Sequence, residues 1–213
     1  MFKNRTHAAE CLAGDLKRYA GQNPLILGIP RGGVVMAGVI AGALGGEVDV
    51  VLVHKLRAPG QPEFAIGSID ESGNVYLSGA VEQLGVRESY LQREREFQME
   101  SLRRRRAQYT PVHPPVSPAG RIVVVVDDGL ATGATMMAAL RSVRRQKPAK
   151  LIAATAVAPE DALENVRQLA DEVVCLEVPD RFFAVGQAFE DFDQVEDDEV
   201  IEILKRCGPK KAT

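Results

Sequence analysis

RIVVVVDDGLATGATM, residues 121–136, carries the architecture of the chain in its spacing. The β-branched run Ile122 to Val126 predicts a strand buried on both faces, as at the centre of a parallel sheet. Two carboxylates, Asp127 and Asp128, arrive at its C-terminal end, where open α/β sheets place their ligands, and the turn that follows opens a helix. Backbone N–H groups in such a turn, helped by the hydroxyls of Thr132 and Thr135 and by the helix N-terminus, suit a monophosphate. The carboxylates cannot hold that same phosphate. They match a vicinal diol, whose hydroxyl hydrogens they can accept, or a divalent ion nearby. Strand, acid pair, turn and helix together describe a site for a sugar phosphate; the blander reading makes the acids helix caps and Gly129 and Gly133 ordinary turn glycines.

The segments on either side extend the pattern. Downstream, Thr135 to Arg145 predicts a helix and Leu151 to Val157 a strand. Pro159 with Glu160 starts a helix to Ala170, and Glu172 to Leu176 is a last parallel strand. Upstream, LILGI (Leu25 to Ile29) predicts a short buried strand, followed by the turn Pro30-Arg31-Gly32-Gly33, a small-residue helix to Leu44 and a second strand, Val48 to Val53. That is a βαβ unit. Before it, Asn4 is placed to cap a helix from Arg5 to Tyr19, in which Ala8, Cys11, Leu12, Leu16 and Tyr19 recur at helical spacing.

Gly28 to Gly33 is a second anion loop by the same physics: N–H groups at a helix start, with Arg31 adding a cationic fork for phosphate oxygens. Lys55, expected at the end of the adjacent strand, could reach the same place as a mobile charge. Neither loop is a nucleoside-triphosphate loop, because the Lys-Ser/Thr pair is missing. Neither is a dinucleotide fingerprint, because the GxGxxG order is absent and His54 and Lys55 stand where an acid would follow the second strand.

Between the halves, LRAPGQPEFA (Leu56 to Ala65) reads as an exposed loop. Ile66 to Ile69 and Val75 to Leu77 form a hairpin added to the sheet, and a helix fills much of Val86 to Tyr109, where seven arginines face four glutamates. Its RRRR, Arg103 to Arg106, reads as a solvated helix end. Beyond Pro179 the pattern becomes irregular and aromatic, and Glu190 to Glu199, with seven acids and no base, reads as a solvated face.

The 213 residues suffice for one α/β domain with a small appendage, divided as residues 1–178 for the core and 179–213 for a tail or hood. A net charge of -3 predicts no nucleic-acid or anionic-membrane partner. The longest uncharged stretch, Gly32 to Gly46, is 15 residues and too short to span a bilayer, and no apolar leader follows the charged start, so a cytoplasmic location is expected. Cys11, Cys175 and Cys207 form no CxxC pair and predict neither disulfide nor structural zinc.

RIVVVVDDGLATGATM, with IPRGG and HK, resembles the signature of the type I phosphoribosyltransferases over most of Leu25 to Val178. The resemblance implies an open, mostly parallel sheet with helices on both faces, a short hairpin and a C-terminal hood. It also implies an enzyme of nucleotide metabolism that uses phosphoribosyl pyrophosphate and magnesium to move the phosphoribosyl group onto a small-molecule acceptor, a nucleobase first of all. Asp127 and Asp128 would then hold the ribose hydroxyls and, through ribose or water, the metal. Ala131, Thr132, Gly133, Ala134 and Thr135 would surround the 5'-phosphate; Arg31, Gly32 and Gly33 would bind pyrophosphate, with Lys55 beside it. A cis peptide is implied near Pro30-Arg31, and a homodimer stays open.

One departure matters. At the position of Ala131 the hypoxanthine and guanine enzymes carry an aspartate near the purine N7, and Ala131 has no proton to exchange. Glu63 is a weak alternative acid or base. The hood offers Arg181, Phe182 and Phe183 as base contacts; of Phe182, Phe183 and Phe189, at least two are expected to pack the tail onto the core. A segment between Leu56 and Arg106 is expected to close over the ribose. Other readings are a ligand-sensing regulator without transfer activity, a structural protein with a dead site, and a hydrolase of another phosphosugar.

Overall fold

Asn4 accepts the His7 backbone N–H at 3.0 Å and starts α1, Arg5–Asp15. The helix stops short of Tyr19, and a separate 3-10 turn, Lys17–Tyr19, completes the segment. The βαβ unit follows as β1 (Leu25–Gly28), α2 (Gly32–Leu44) and β2 (Glu47–Val50), with β1 and β2 parallel. The computed structural model describes residues 1–207, with the side chains of Pro62 and Glu63 outside that description, so the reading of Glu63 as an acid or base lies outside the described residues.

The chain then departs from expectation. It leaves the sheet at Val50, and LRAPGQPEFA is not an exposed loop. β3 (Val53–Ala58) and β4 (Gln61–Asp70) make an antiparallel hairpin, and β5 (Val75–Leu77) pairs with β4 in turn. Leu56 and Ala58 are buried while Lys55 and Arg57, which alternate with them, are exposed, the pattern of a half-buried strand. Pro59 and Gly60 occupy the turn, where Gly60 takes a left-handed φ of 70°. These strands form a three-stranded sheet of their own, not an addition to the main one.

α3 (Ala80–Gln83) and α4 (Glu88–Tyr109) lead to β6 (Ile122–Gly129), α5 (Ala134–Arg145), β7 (Lys150–Val157), α6 (Glu160–Arg167) and β8 (Glu172–Glu177). The main sheet is parallel throughout, in the order β2-β1-β6-β7-β8. β6 lies at its centre. Val124 and Val126 enter the core shared with α1 and α2, whereas Val123 and Val125 enter the core under α5 and α6, so the strand is buried on both faces.

The solvated end of α4 needs correction at Arg106, whose side chain is 15% exposed. Its Nε and Nη2 each donate to Glu71 at 2.7 Å, and Asp49 lies 3.4 Å from Nη1. A buried guanidinium requires such partners.

The tail holds a 3-10 turn, Val185–Ala188, and α7, Asp197–Cys207. It is laced to the N-terminus: Phe2 N donates to Ala188 O at 2.7 Å, Glu190 N to Phe2 O at 2.8 Å and Asp191 N to Lys3 O at 2.9 Å. Phe189 is buried between Phe2 and Phe192. The acidic stretch is not simply a solvated face, because Asp197 accepts the Tyr109 hydroxyl at 2.9 Å and Glu196 pairs with Arg31. Burial and Asp197 together push that hydroxyl's pKa well up. Among the described residues no helix is long and apolar enough to cross a membrane.

Candidate functional site

The site grows from the C-terminal end of β6. Side chains alternate along a strand, so Asp127 and Asp128 leave it toward opposite sides. Asp127 faces the turn before α5. There Gly133 adopts a left-handed φ of 73° as the cap of the helix, and Thr132 Oγ1 accepts the Ala134 N–H at 3.4 Å. Asp127 and residues 131–135 border a cavity of about 170 Å³, which Lys55 and Val185 also line. That is below the ~300–1,000 Å³ usual for a small-molecule pocket, so a phosphate group would enter it and the rest of a larger ligand would lie beyond.

Asp128 faces the other loop. A Cβ on Gly32 would collide with Asp128 Oδ2, and one on Gly33 would collide with the Val126 carbonyl. Glycine at both positions lets IPRGG press against the strand end. The Pro30–Arg31 peptide is cis, as the resemblance implied. The two loops therefore meet at the acid pair, one on each side.

Charge is arranged unevenly. Burial and the neighbouring Asp128 push the Asp127 carboxyl well above the usual range, while the Asp128 N–H, donating to Asp127 Oδ1 at 3.0 Å, and Arg5 oppose the rise. Asp128 has a cation of its own, because Arg5 Nε donates to its Oδ2 at 2.7 Å, with side chains 13% and 14% exposed. Each acid thus has one oxygen held by the chain. For Asp127 Oδ2 and Asp128 Oδ1 the described residues supply no hydrogen-bond partner.

The other expected residues are placed as follows. Lys55 is the third residue of β3, not the end of β2, and reaches the phosphate-sized cavity from the second sheet. Arg31 Nη1 lies 3.1 Å from Glu196 Oε2. In the tail, Phe182 is half-buried against the core, Phe183 is 84% exposed, and the exposed Arg181 accepts Gln187 Nε2 on its carbonyl at 3.0 Å. Phe182 and Phe189 thus pack the tail, as expected of two of the three. None of Arg181, Phe182 and Phe183 borders the cavity; Val185 does, seated so closely on Gly129 that a Cβ there would collide with its methyl groups.

Sequence reasoning missed Arg5, Val185 and Glu196. Arg5 did leave a signal: it sits three, four and seven residues before Ala8, Ala9 and Leu12, the buried stripe of α1, where a charge needs a partner. A larger cavity of about 500 Å³ lies beside α4, between Leu102, Arg106 and Thr110. Its buried cation is already engaged by Glu71 and Asp49, so the smaller cavity has the stronger chemical case.

A model of the phosphoribosyl transferase domain matches residues 2–191. Two Mycobacterium tuberculosis proteins whose names carry the words phosphoribosyl transferase, MT0597 and Rv0571c, are each 40% identical over 213 residues, covering 97% of this chain and 47% of theirs. The chain thus spans about half the length of these curated relatives. The crystal structure of TT1426 from Thermus thermophilus is similar at a TM-score of 0.86 and 44% identity, covering 98% of this chain and 99% of that one.

Proposed function

The chain belongs to the phosphoribosyl transferase domain family, and from that premise we propose that it transfers the phosphoribosyl group of phosphoribosyl pyrophosphate to a small-molecule acceptor, a nucleobase first of all. The observation that carries the reading is the meeting of two anion loops at one acid pair, Asp127 against the turn 131–135 and Asp128 against Gly32. A sugar with a phosphate at one end and a diphosphate at the other spans that arrangement.

In this reading Ala131, Thr132, Gly133, Ala134 and Thr135 enclose the 5'-phosphate, and the partnerless oxygens of Asp127 and Asp128 accept the ribose hydroxyls. Arg31 and the N–H of Gly32 receive the diphosphate, while Gly33, whose own N–H donates to the Ile29 carbonyl at 3.1 Å, lets the loop press on the strand; Lys55, expected beside the diphosphate, borders the cavity of residues 131–135. The bond from C1 to the diphosphate oxygen breaks with its electron pair staying on the diphosphate, the acceptor nitrogen forms the new bond at C1, and the proton that nitrogen carried passes to the departing diphosphate or to solvent. Charge gathering on the departing oxygens is met by Arg31 and the Gly32 N–H. No protein nucleophile is required.

Magnesium suits the donor set. No group of three or more His, Cys, Asp or Glu converges as a closed metal site among the described residues, and Mg²⁺ is commonly held by one or two carboxylates plus substrate oxygens. Asp127 and Asp128 would hold it, through water or the ribose, and it would neutralise diphosphate charge.

Residues 1–178 carry the phosphates in this reading, and residues 179–213, of which 208–213 lie outside the described residues, are the hood over the acceptor, with Arg181, Phe182 and Phe183 as candidate base contacts. Ala131 shapes space beside the base but neither gives nor takes a proton.

Titration calorimetry with phosphoribosyl pyrophosphate, with and without magnesium, tests the reading; magnesium-dependent heat is expected, and none at millimolar ligand would remove it. Pyrophosphate release across a panel of bases then identifies the acceptor. Tight binding with no base stimulating release would favour a sensor over a transferase.

A further inference from the structure

Arg5 opens α1 on its buried face, and its charge is met by two different parts of the chain. Nε donates to Asp128 Oδ2 at 2.7 Å, Nη1 donates to the Asp193 carbonyl at 2.7 Å, and the guanidinium carbon stands 3.9 Å from the centre of the Phe192 ring. The fork thus joins the end of β6 to the tail. It is preorganised for two separate acceptors in a way a lysine ammonium is not.

Its direction of approach matters. Arg5 does not border the phosphate-sized cavity; it lines a separate concavity with Asn4, Asp191 and Asp193. It comes to Asp128 from the side of α1 and the tail, occupying Oδ2 and leaving Oδ1 without a protein partner among the described residues. Gly32 closes over the contact, since a Cβ there would lie 2.8 Å from Arg5 Nε. Acid, guanidinium and diphosphate loop are therefore packed as one unit.

We infer that Arg5 is a positioning residue for the phosphoribosyl site: it fixes the Asp128 carboxylate for the sugar diol and ties the tail to that same acid. The inference rests on the proposed function, because it assigns Asp128 a sugar hydroxyl. It adds that the N-terminal helix, through one side chain, couples the acid at the ribose to the segment over the acceptor.

A double-mutant cycle on the full chain separates this role from general support of the fold. Phosphoribosyl pyrophosphate affinity is measured for wild type, Arg5→Gln, Asp128→Asn and the double variant, with melting followed in parallel and inorganic phosphate as a ligand that lacks the diol. Arg5→Gln is expected to weaken phosphoribosyl pyrophosphate by more than about tenfold, the scale of truncating one partner of a buried charge pair, and to leave phosphate within about twofold. In the Asp128→Asn background the same change should cost less than about twofold, because its target is gone.

Additive losses, or an equal loss for inorganic phosphate, would overturn the inference in favour of a merely structural arginine. Tighter binding by Arg5→Gln would overturn it by showing that the guanidinium obstructs the site. If the glutamine variant does not fold, Arg5→Lys decides: it keeps the charge but not the two-pronged contact, so a loss of about fivefold is expected and unchanged affinity overturns the inference. Wild type that binds no phosphoribosyl pyrophosphate removes the proposed function and this inference together, whereas binding with an additive cycle removes Arg5 alone.

Discussion

Gly32 and Asp128 stand so close that a Cβ on the glycine would collide with the carboxylate oxygen Oδ2 and lie 3.0 Å from its Cγ. The residue that would receive diphosphate is glycine because the acid that would receive the ribose stands against it. Gly32→Ala should therefore displace Asp128 at a cost of about 1–3 kcal/mol, typical of forced overpacking. Melting and calorimetry check this: a variant with wild-type Tm and wild-type affinity would mean that the loop can move away freely.

Asp128→Asn should weaken phosphoribosyl pyrophosphate far more than Glu190→Gln, because Asp128 lies between the two anion loops while Glu190 is exposed in the tail. The expected loss is more than about tenfold against less than about twofold, since surface changes rarely exceed about 0.5 kcal/mol. Equal affinities of the two variants would mean that the acid pair has another task.

Asp127→Asn should stabilise the ligand-free protein while removing its ligand binding. Burial and Asp128 raise the Asp127 pKa in the folded chain, so the folded state binds the proton more tightly than the unfolded one. Stability is then highest below the unfolded value and falls as pH rises toward the folded one. A gain of about 2–4 °C in Tm at neutral pH, the shift expected for about 1 kcal/mol in a chain of this size, should shrink as pH drops toward 4. A lower Tm for the variant at neutral pH would contradict it.

Arg31→Ala should lose far more turnover than ribose 5-phosphate affinity, because its partner is charge that grows on the leaving group. Glu196→Gln, which removes the carboxylate now beside Arg31, should change diphosphate affinity by no more than about fivefold at low salt. Glu196 is 64% exposed, and exposed pairs are worth about 0–1 kcal/mol. Steady-state pyrophosphate release and calorimetry read the two effects; equal losses of turnover and affinity for Arg31→Ala would take it out of the leaving-group role.

Phe183→Ala should alter acceptor preference more than Val185→Ala, since Phe183 is a candidate base contact exposed in the tail whereas Val185 borders the phosphate-sized cavity beside Gly129. The KM values across the base panel provide the measurement. A shift confined to Val185→Ala would move base recognition to the cavity wall.

The parallel sheet, the acid pair and both glycine loops were legible in the sequence because each is local: a run of valines makes a doubly buried strand wherever it sits, and the turn after it contains its own donors. The hairpin over Leu56 to Ala65 was not, because Pro59 and Gly60 suggest a loop and only the burial of Leu56 and Ala58 shows that strands flank them. Arg106 was assigned to solvent because its helix is highly charged, and only the packed chain brings Asp49 and Glu71 to it. The same holds at the site. Asp128 was visible as an acid at a strand end, but its pairing with Arg5 spans 123 residues, and that of Arg31 with Glu196 spans 165. Residue type and spacing along the chain determined which backbone would present N–H groups and carboxylates together. Which side chain neutralises each charge was decided by tertiary packing alone, because a buried charge is satisfied by whatever group the fold brings within hydrogen-bonding distance, however distant in sequence.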